Sequence, residues 1–300
     1  MAPASITDPA FILNVDMDYR KASISSSNNT TELHGDFDHL FTIARPHILE
    51  MICLSLDYKS FKNCPKVNKA WRLALNSETF QRKAKSVFKE EIKEDGKKLL
   101  AASEDGDTDQ VRKLLSIGLV DVDMPDTVSR VHNDGNWTPL HFATRNSGHK
   151  GVVHILLDNG ANPNIKSTRG CTPLHVAAEC GSKALVKLFL DYETEPNITD
   201  ERGYTALHVA VEHDNKYVVE QLLADHGTDP NVTDARGCTP LHYAAQHGYK
   251  DVVQLLLRNG ANPNATNNKG KTPFHLAPNG GNNNALGRML KRAMEKSKEE

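Results

Sequence analysis

The sequence predicts an all-α protein in which a solenoid of about six helical repeats follows a small domain of three short helices. A tetrapeptide of the form Thr-Pro-Leu-His returns every 33 or 34 residues from Thr138 onward. Apolar residues also recur at helical spacing, both inside each repeat and across residues 44–88. Residues 1–35 are rich in Ser, Asn and Thr without an apolar period, which predicts a disordered tail. We therefore expect the three-helix domain in residues 36–90 and the repeat domain in residues 91–300.

The repeat is carried by five in-phase copies. They begin at Thr138, Thr172, Thr205, Thr239 and Thr272. Each copy continues with small residues, a Gly or polar turn, and an apolar run. Most then close on a variant of Asn-Gly-Ala-Asn-Pro-Asn, as in residues 259–264. Five copies in one phase cannot plausibly arise by chance, and a period of this length predicts a stacked helical array.

The chemistry of one copy predicts a pair of helices. Thr138 can cap a first helix whose first turn accepts Pro, because the missing N–H has no partner inside the helix there. Val and Leu at i, i+3 and i+4 spacing give the second helix an apolar face. Gly160 and Gly260 lie where that helix should end with a positive φ. Since no copy can bury its apolar face alone, stability is expected from the interfaces between neighbours.

These residues resemble the ankyrin repeat, whose period is 33, and the resemblance implies a protein-binding scaffold. A degenerate copy from Leu99 to Gly118 lacks the tetrapeptide, as expected for an end cap. About six extra residues between Asp126 and Gly135 predict an enlarged finger loop. The last copy has Pro278 in place of its second alanine and ends in a polar tail that suits a closing cap.

Residues 44–88 contain three apolar stripes at helical spacing. Their members are Ile48, Leu49, Ile52 and Leu56, then Val67, Ala70, Trp71 and Ala74, then Phe80, Ala84, Val87 and Phe88. Ser77 is the expected cap of the third helix. A unit of this size is weakly self-sufficient and often needs a partner or neighbour to cover apolar surface.

The run from Pro46 to Phe61, continued by Cys64 to Arg72, resembles an F-box over about 45 residues. F-boxes follow their first helix with a valine and, four residues later, a tryptophan, which Val67 and Trp71 match. The chain departs from the family at the front, where Arg45-Pro46 stands in place of a Leu-Pro pair.

The F-box resemblance implies docking on a Skp1-type adaptor and, through it, on a cullin and a RING subunit. The residues that carry over are Pro46, Ile48, Leu49, Ile52, Leu56, Val67 and Trp71. In the alternative interpretation these seven side chains fill the core of a three-helix cap on the repeats. The two roles are not exclusive.

Residues of the fingers and first helices are the candidates for a partner-binding groove. They are Trp137, Glu179, Tyr204, Glu212, His213, Tyr243, Gln246 and His247. Trp and Tyr are enriched at interface hot spots. Phe142, Val176 and Val209 are placed in the same row, where packing between repeats is the alternative.

Two rows of basic residues follow the same period. One row precedes the finger glycines and the other begins the second helices: Arg169, Arg202, Arg236 and Lys269, and Lys150, Lys183, Lys216 and Lys250. They indicate either a groove for an acidic peptide or the ordinary charge of solvent-exposed turns, offset by nearby acidic residues.

No site for a metal ion, a cofactor or catalysis is expected. The five tetrapeptide histidines are one repeat apart and cannot share an ion with bonds near 2 Å, so they are predicted to be structural hydrogen-bonding groups. The sequence has no phosphate-binding GxxxxGK[ST], and no nucleophile, base and orienting group stand out together.

Composition excludes further classes of function. With a net charge of −2, the chain as a whole has no long-range electrostatic attraction for nucleic acid or an anionic membrane. A mean hydropathy of −0.52 without a long apolar run predicts no membrane span. The first twenty residues lack the pattern of a secretory signal. Five cysteines without a CxxC pair indicate buried thiols in a reducing compartment, the cytoplasm or the nucleus.

Together the resemblances predict a non-catalytic substrate receptor of an SCF-type E3 ubiquitin ligase. The F-box-like end would bind a Skp1-type adaptor and cullin complex, and the ankyrin groove would capture an unknown protein substrate. The charged segment 89–98 is expected to run as a helix between them. The rival interpretation is an ankyrin adaptor or scaffold with no ubiquitin role, whose amino-terminal helices only cap the stack.

Overall fold

The computed structural model describes residues 78–116, 118–127, 135–192, 194–224, 227–278 and 285–297. Within those ranges every regular element is a helix, and an isolated antiparallel bridge joins Asp126 to Trp137. The predicted all-α class is therefore confirmed for these residues. The seven F-box-like residues from Pro46 to Trp71, and the first two predicted helices, lie outside the described residues.

Thirteen α-helices and one short 3₁₀ turn, Ser147–His149, make up the described ranges. The helices are α1 Glu78–Val87, α2 Lys89–Asp105, α3 Thr108–Leu115, α4 Pro139–Arg145, α5 Lys150–Asp158, α6 Pro173–Glu179, α7 Lys183–Asp191, α8 Ala206–Glu212, α9 Lys216–Leu223, α10 Pro240–His247, α11 Lys250–Arg258, α12 Pro273–Leu276 and α13 Ala285–Lys296. From α2 onward they form six pairs, in agreement with the predicted number of repeats. We call α4, α6, α8, α10 and α12 the inner helices, and α5, α7, α9, α11 and α13 the outer helices.

The chain divides into two compact units, Met1–Gly96 with Lys113–Asp121, and Lys97–Arg112 with Val122–Glu300. In the first unit α1 buries Ala84 and Phe88, which lie four residues apart on one helix face. The prediction that Val87 also points inward is wrong, since it is 55% exposed. Val87 lies on the flank of the stripe that Ala84 and Phe88 define, and the buried face of α1 is too narrow to include it.

The charged segment 89–98 is helical as predicted, because α2 runs without interruption from Lys89 to Asp105. It continues into Leu99 and Ala102, both buried, which are residues of the degenerate first copy. Gly106 ends this copy's first helix with φ +78°, and the Asp107 N–H donates to the Ala102 carbonyl oxygen at 2.9 Å. The degenerate copy thus has the same helix pair as the regular ones.

In the second unit the inner helices pack in chain order, α4 on α6, α6 on α8, α8 on α10 and α10 on α12. Of the outer helices, α7 packs on α9 and α9 on α11. The cores of α5, α7, α9 and α11 each contain three residues that are at most 1% exposed: Val152, Val153 and Leu156; Leu185, Val186 and Phe189; Val218, Val219 and Leu222; Val252, Val253 and Leu256. Fully burying one such side chain contributes about 1.5–3 kcal/mol.

The expected helix ends are present. Each inner helix follows a threonine in extended conformation, as at Thr138 with φ −94° and ψ 167°, and four of the five have Pro in the first turn. Gly160 and Gly260 have φ of +85° and +83° just after α5 and α11.

The closing repeat departs from the others because its inner helix is only four residues long. Pro278 explains this, since a proline disfavours the helical conformation of the residue before it. Ala277 is accordingly extended, with φ −60° and ψ 148°. Leu286 and Leu290 of α13 are buried, and Lys291, Arg292, Glu295 and Lys296 are exposed, as expected of a closing cap. Among the described helices none is long and apolar enough to cross a membrane.

A candidate protein-binding groove

The tetrapeptide histidines connect each repeat to the next. In all five copies the threonine N–H donates to the histidine Nδ1 at 3.0–3.2 Å. In the first four copies Nε2 lies 2.8–3.2 Å from a backbone carbonyl oxygen of the following finger: Cys171, Tyr204, Cys238 and Lys271. A carbonyl only accepts and an amide N–H only donates, so these rings are neutral with the proton on Nε2. The predicted structural role is confirmed.

Four finger turns, residues 167–171, 200–204, 234–238 and 267–271, alternate with the inner helices. Each closes on a backbone hydrogen bond from its first to its last residue, as from the Asp200 N–H to the Tyr204 carbonyl oxygen at 2.9 Å. Neighbouring fingers are also joined, for example by the Glu201 N–H donating to the Arg169 carbonyl oxygen at 2.9 Å. The fingers therefore form a rigid hydrogen-bonded row beside the inner helices.

Between this row and the inner helices of three successive repeats lies a groove of about 970 Å³. Its lining comes from α4, α6, α8 and the fingers between them: Trp137, Arg145, Arg169, Cys171, His175, Val176, Glu179, Cys180, Asp200, Glu201, Arg202, Val209, Glu212 and His213. Three arginines and four carboxylates are in this set, so the surface is of mixed charge.

Four of the eight predicted groove residues are brought together there: Trp137, Glu179, Glu212 and His213. Gln246 and His247 are exposed on α10, outside this groove, and the His247 ring stacks on that of Tyr249.

Tyr204 and Tyr243 are only 3% and 5% exposed, so the prediction that they present a contact surface is corrected to a supporting role. Their ring centroids are 5.4 Å apart. Each tyrosine lies under a finger arginine and is covered by it. Phe142, Val176 and Val209 are likewise buried, as the packing alternative expected.

Sequence reasoning missed Arg145 and Cys180, although the register contains the signal. Arg145 stands seven residues after its threonine, the position that Glu179 and Glu212 occupy in later copies. Cys180 stands eight residues after, like His213. Aligning the copies by position instead of selecting residue types would have found both. Cys180 is exposed, which contradicts the expectation that the thiols are buried, whereas Cys238 is buried as expected.

Arg202 is held in place from three sides. Its Nε is 3.0 Å from Asp200 Oδ2, its Nη1 is 3.7 Å from Glu212 Oε2, and its guanidinium carbon is 4.0 Å from the centroid of the Tyr204 ring. Burial opposes the charge of this guanidinium, but the Asp200 carboxylate raises the pKa of Arg202 on balance. The side chain still exposes 56% of its surface, so Arg202 presents a pre-positioned cation to the groove.

One finger further on, Arg236 covers both tyrosines. Its Nη2 donates to the Tyr204 hydroxyl at 3.1 Å and to the Tyr243 hydroxyl. Tyr243 donates in turn to Asp234 Oδ2 at 2.6 Å. Burial opposes the charge of Asp234, but hydrogen bonds from Tyr243 and from the N–H groups of Cys238 and Arg236 lower the pKa of this carboxyl on balance. Arg202 and Arg236, of the basic row in the fingers, are thus paired with the buried Asp200 and Asp234, as the alternative of ordinary turn charge predicts.

No group of three or more potential ligands that could hold a metal ion occurs among the described side chains. The row of lysines that begins the outer helices is exposed, and Lys216 of α9 forms an ion pair at 2.7 Å with Asp251 of α11, in the next repeat. The groove is therefore a surface of mixed polar and apolar character on a hydrogen-bonded frame, suited to matching the side chains of another polypeptide.

Comparison with known proteins finds a family model described as "Ankyrin repeats (3 copies)", which matches residues 84–167, 162–234 and 217–299. No F-box is detected.

Among curated relatives, Palmitoyltransferase Hip14 of Drosophila melanogaster is 46% identical over 50 residues, 17% of this chain and 8% of that protein. The 2-5A-dependent ribonuclease of Homo sapiens is 35% identical over 88 residues, 29% of this chain and 11% of that protein. Probable E3 ubiquitin-protein ligase XBOS32 of Oryza sativa subsp. japonica is 33% identical over 86 residues, 29% of this chain and 16% of that protein. The matches thus span between 8% and 16% of these relatives. With the family model covering residues 84–299, the chain belongs to the ankyrin-repeat family.

Proposed function

We propose that the chain is a substrate receptor of an SCF-type ubiquitin ligase in the cytoplasm, itself without catalytic activity. Its groove captures another protein, and the segment from Pro46 to Arg72 docks on a Skp1-type adaptor. The observation that carries the protein-binding part is the groove of about 970 Å³ lined by three successive repeats. The chain would promote the reaction only by holding its substrate close to the catalytic subunits of the complex.

The composition of the groove suits a folded or extended protein segment. Arg145, Arg169 and Arg202 alternate with carboxylates, so a partner of mixed charge is matched better than a polyanion. Trp137 supplies a large, partly exposed ring at one end, and its own position is fixed by an edge contact with Phe142 at 5.4 Å. Rigid aromatic and arginine side chains are the usual anchors of protein interfaces.

Support for the Skp1 arm comes from the sequence of residues 46–72 and from one relative. The matched rice protein is named as a probable E3 ubiquitin-protein ligase, although the match covers 16% of it. An F-box needs apolar side chains at Ile48, Ile52 and Trp71 that a foreign subunit can cover. The Skp1 arm and the groove are separable, so each has its own test.

The groove is tested by affinity purification and mass spectrometry with and without proteasome inhibition. The variant Glu179→Lys/Glu212→Lys reverses two charges in the groove. The matched control, Asp191→Lys/Glu220→Lys, makes the same change of net charge on exposed residues of outer helices. We expect a set of proteins that accumulates under inhibition and is lost with the groove variant alone. Equal recovery of these proteins with both variants would show that the groove does not bind them.

The Skp1 arm is tested by co-expressing the full chain with Skp1 and measuring co-purification. Ile52→Asp/Trp71→Ala should abolish the complex, because a buried carboxylate and a lost ring both oppose an apolar interface. The groove variant is the control and should retain Skp1. Skp1 recovery unchanged by the double substitution, or absent from the wild type, rejects the ligase role.

The second candidate is an ankyrin adaptor without a ubiquitin role. The observation that favours it is that the family match begins at residue 84 and no F-box is detected. Deleting residues 40–90 separates the two functions. An adaptor loses thermal stability but its partner is ubiquitinated as before, whereas a receptor loses ubiquitination of the protein in its groove.

A further inference from the structure

The stretch from Arg258 to Ser297, which runs from the end of α11 through the closing repeat, has a net charge opposite to that of the rest of the chain. Residues 258–297 contain seven lysines and arginines and a single acidic residue, Glu295, for a net charge of +6. The other 260 residues contain 29 basic and 37 acidic residues, for a net charge of −8. The near-neutral whole therefore conceals a basic stretch, which Lys298, Glu299 and Glu300 follow in the sequence.

Helix α13 concentrates this charge on one face. Leu286, Gly287 and Leu290 are buried on one side, where the helix packs against α12. On the opposite side lies a row of exposed basic residues spaced by three, four and eight positions: Arg288, Lys291, Arg292 and Lys296. At 1.5 Å per residue this row is about 12 Å long.

The preceding repeat supplies one further basic residue, Arg258. It is the exposed last residue of α11. The loop that follows is tied to the end of α13, because the Asn264 side-chain amide donates to the Ser297 hydroxyl. We call Arg258, Arg288, Lys291, Arg292, Lys296 and the intervening Glu295 the basic face, with a net charge of +4.

We propose that the basic face binds an acidic segment of a partner protein, a short run rich in Asp and Glu. Carboxylates in such a run meet arginine forks and lysine ammonium groups along one helix side, which gives charge-assisted hydrogen bonds. The face is separate from the groove of α4, α6 and α8, so this inference does not depend on the proposed ligase role.

Two observations favour an acidic polypeptide over nucleic acid. The net charge of −8 on the remaining residues repels a long polyanion, whereas a short segment senses only charges within a Debye length of about 10 Å. Phe274 is the only aromatic residue in 258–297 and is partly buried, so there is no row of rings on which bases could stack.

The test uses fluorescein-labelled octaglutamate as the probe and the full chain as the protein, with anisotropy measured at low salt. An octaglutamine peptide and a short DNA duplex with the same label are the comparison ligands. The patch variant removes three charges of the basic face, Arg288→Gln/Lys291→Gln/Arg292→Gln. The matched control removes three exposed lysines of other outer helices, Lys183→Gln/Lys187→Gln/Lys250→Gln.

We expect octaglutamate to bind the wild type, the patch variant to bind it about tenfold more weakly, and the control to change by less than about twofold. Glu295→Gln should tighten binding by about threefold, because it removes the one carboxylate within the row. This gain cannot come from a failure to fold. Binding of octaglutamate should also weaken steeply as salt rises.

Three results overturn the proposal. Equal losses in the patch variant and the control mean that net charge alone is sensed. Octaglutamine binding as tightly as octaglutamate removes the electrostatic basis. Patch-dependent binding of the DNA duplex that exceeds octaglutamate binding assigns the face to nucleic acid.

Discussion

His208 Nε2 donates to the carbonyl oxygen of Cys238 at 3.2 Å, and His208 Nδ1 accepts the N–H of Thr205 at 3.2 Å. Only a neutral ring satisfies both contacts, since a second ring proton would face the Thr205 N–H. The ring is also fully buried. The charge state of this histidine therefore couples the interface between two repeats to pH.

We predict that the free energy of unfolding falls as the pH drops from about 6.5 to about 4. Burial lowers the pKa of His208 from 6.5 to about 4, and burial also lowers the pKa of His175 and His242. Within that window the unfolded chain binds a proton that the folded chain refuses, so acid favours unfolding. His208 alone contributes about 3 kcal/mol to this pH-dependent part of the free energy of unfolding. The contribution is fully present above pH 6.5 and lost by pH 4. Urea denaturation at a series of pH values measures it.

His208→Gln isolates that contribution. The variant should be less stable at neutral pH by about 1–3 kcal/mol but should lose less stability on acidification than the wild type. His247→Gln on the exposed end of α10 is the control for loss of an imidazole, and should change stability at neutral pH by less than about 0.5 kcal/mol. Parallel pH curves for wild type and His208→Gln would contradict the assignment.

Two glycines with nearly the same φ should respond differently to alanine. Gly203 has φ +80°, and an added Cβ would lie 2.8 Å from the Ala235 nitrogen and 2.9 Å from the Asp234 Cα. Gly260 has φ +83° with nothing within 4 Å. Gly260→Ala should lower the free energy of unfolding by about 1 kcal/mol, because alanine is strained in the left-handed region. Gly203→Ala should lower it by at least about 1 kcal/mol more, because the added Cβ also meets the backbone of the next finger. Equal midpoints in urea denaturation would mean that the neighbouring finger shifts freely.

The capping of the inner helices was predictable because its chemistry is local: Thr138, Pro139 and His141 lie within one turn. Burial of Tyr204 and Tyr243 was not, since it depends on contacts between repeats: the two rings lie 5.4 Å apart, and Arg236 of the finger after Tyr204 bonds both hydroxyls. The prediction that Val87 points inward was wrong for a similar reason, because the width of a buried helix face is set by what packs on it. The Skp1-binding assignment from Pro46 to Trp71 stays a prediction.

The Asp234 carboxylate should stabilise the protein more than the Tyr243 hydroxyl that donates to it. The carboxylate accepts from the N–H groups of Arg236 and Cys238 at 2.9 and 2.7 Å, and from the Tyr243 hydroxyl at 2.6 Å. Asp234→Ala leaves these three donors, and the Arg236 Nε at 3.4 Å, without the carboxylate and should cost about 2–4 kcal/mol. Tyr243→Phe removes one donor to Asp234 and one acceptor for Arg236 Nη2, and should cost about 1 kcal/mol. Thermal unfolding compares them, and a larger cost for Tyr243→Phe would show that Asp234 contributes little.

Cys180 provides a reporter of what the groove holds. It is exposed and lines the groove, whereas Cys238 is 7% exposed. In a Cys53→Ser/Cys64→Ser background, iodoacetamide should modify Cys180 about tenfold faster than Cys238, because alkylation needs an accessible thiolate. Burial and the Glu179 carboxylate raise the pKa of the Cys180 thiol above 9.0, so labelling should still accelerate beyond pH 9.

Addition of a captured protein should then slow the labelling of Cys180 and leave that of Cys238 unchanged. Mass spectrometry of tryptic peptides resolves the two rates in one sample, so Cys238 serves as the internal control. The groove variant Glu179→Lys/Glu212→Lys should abolish the protection. Because a protein in the groove would cover the exposed part of Cys180, a partner that binds tightly without slowing its labelling must bind elsewhere on the repeats.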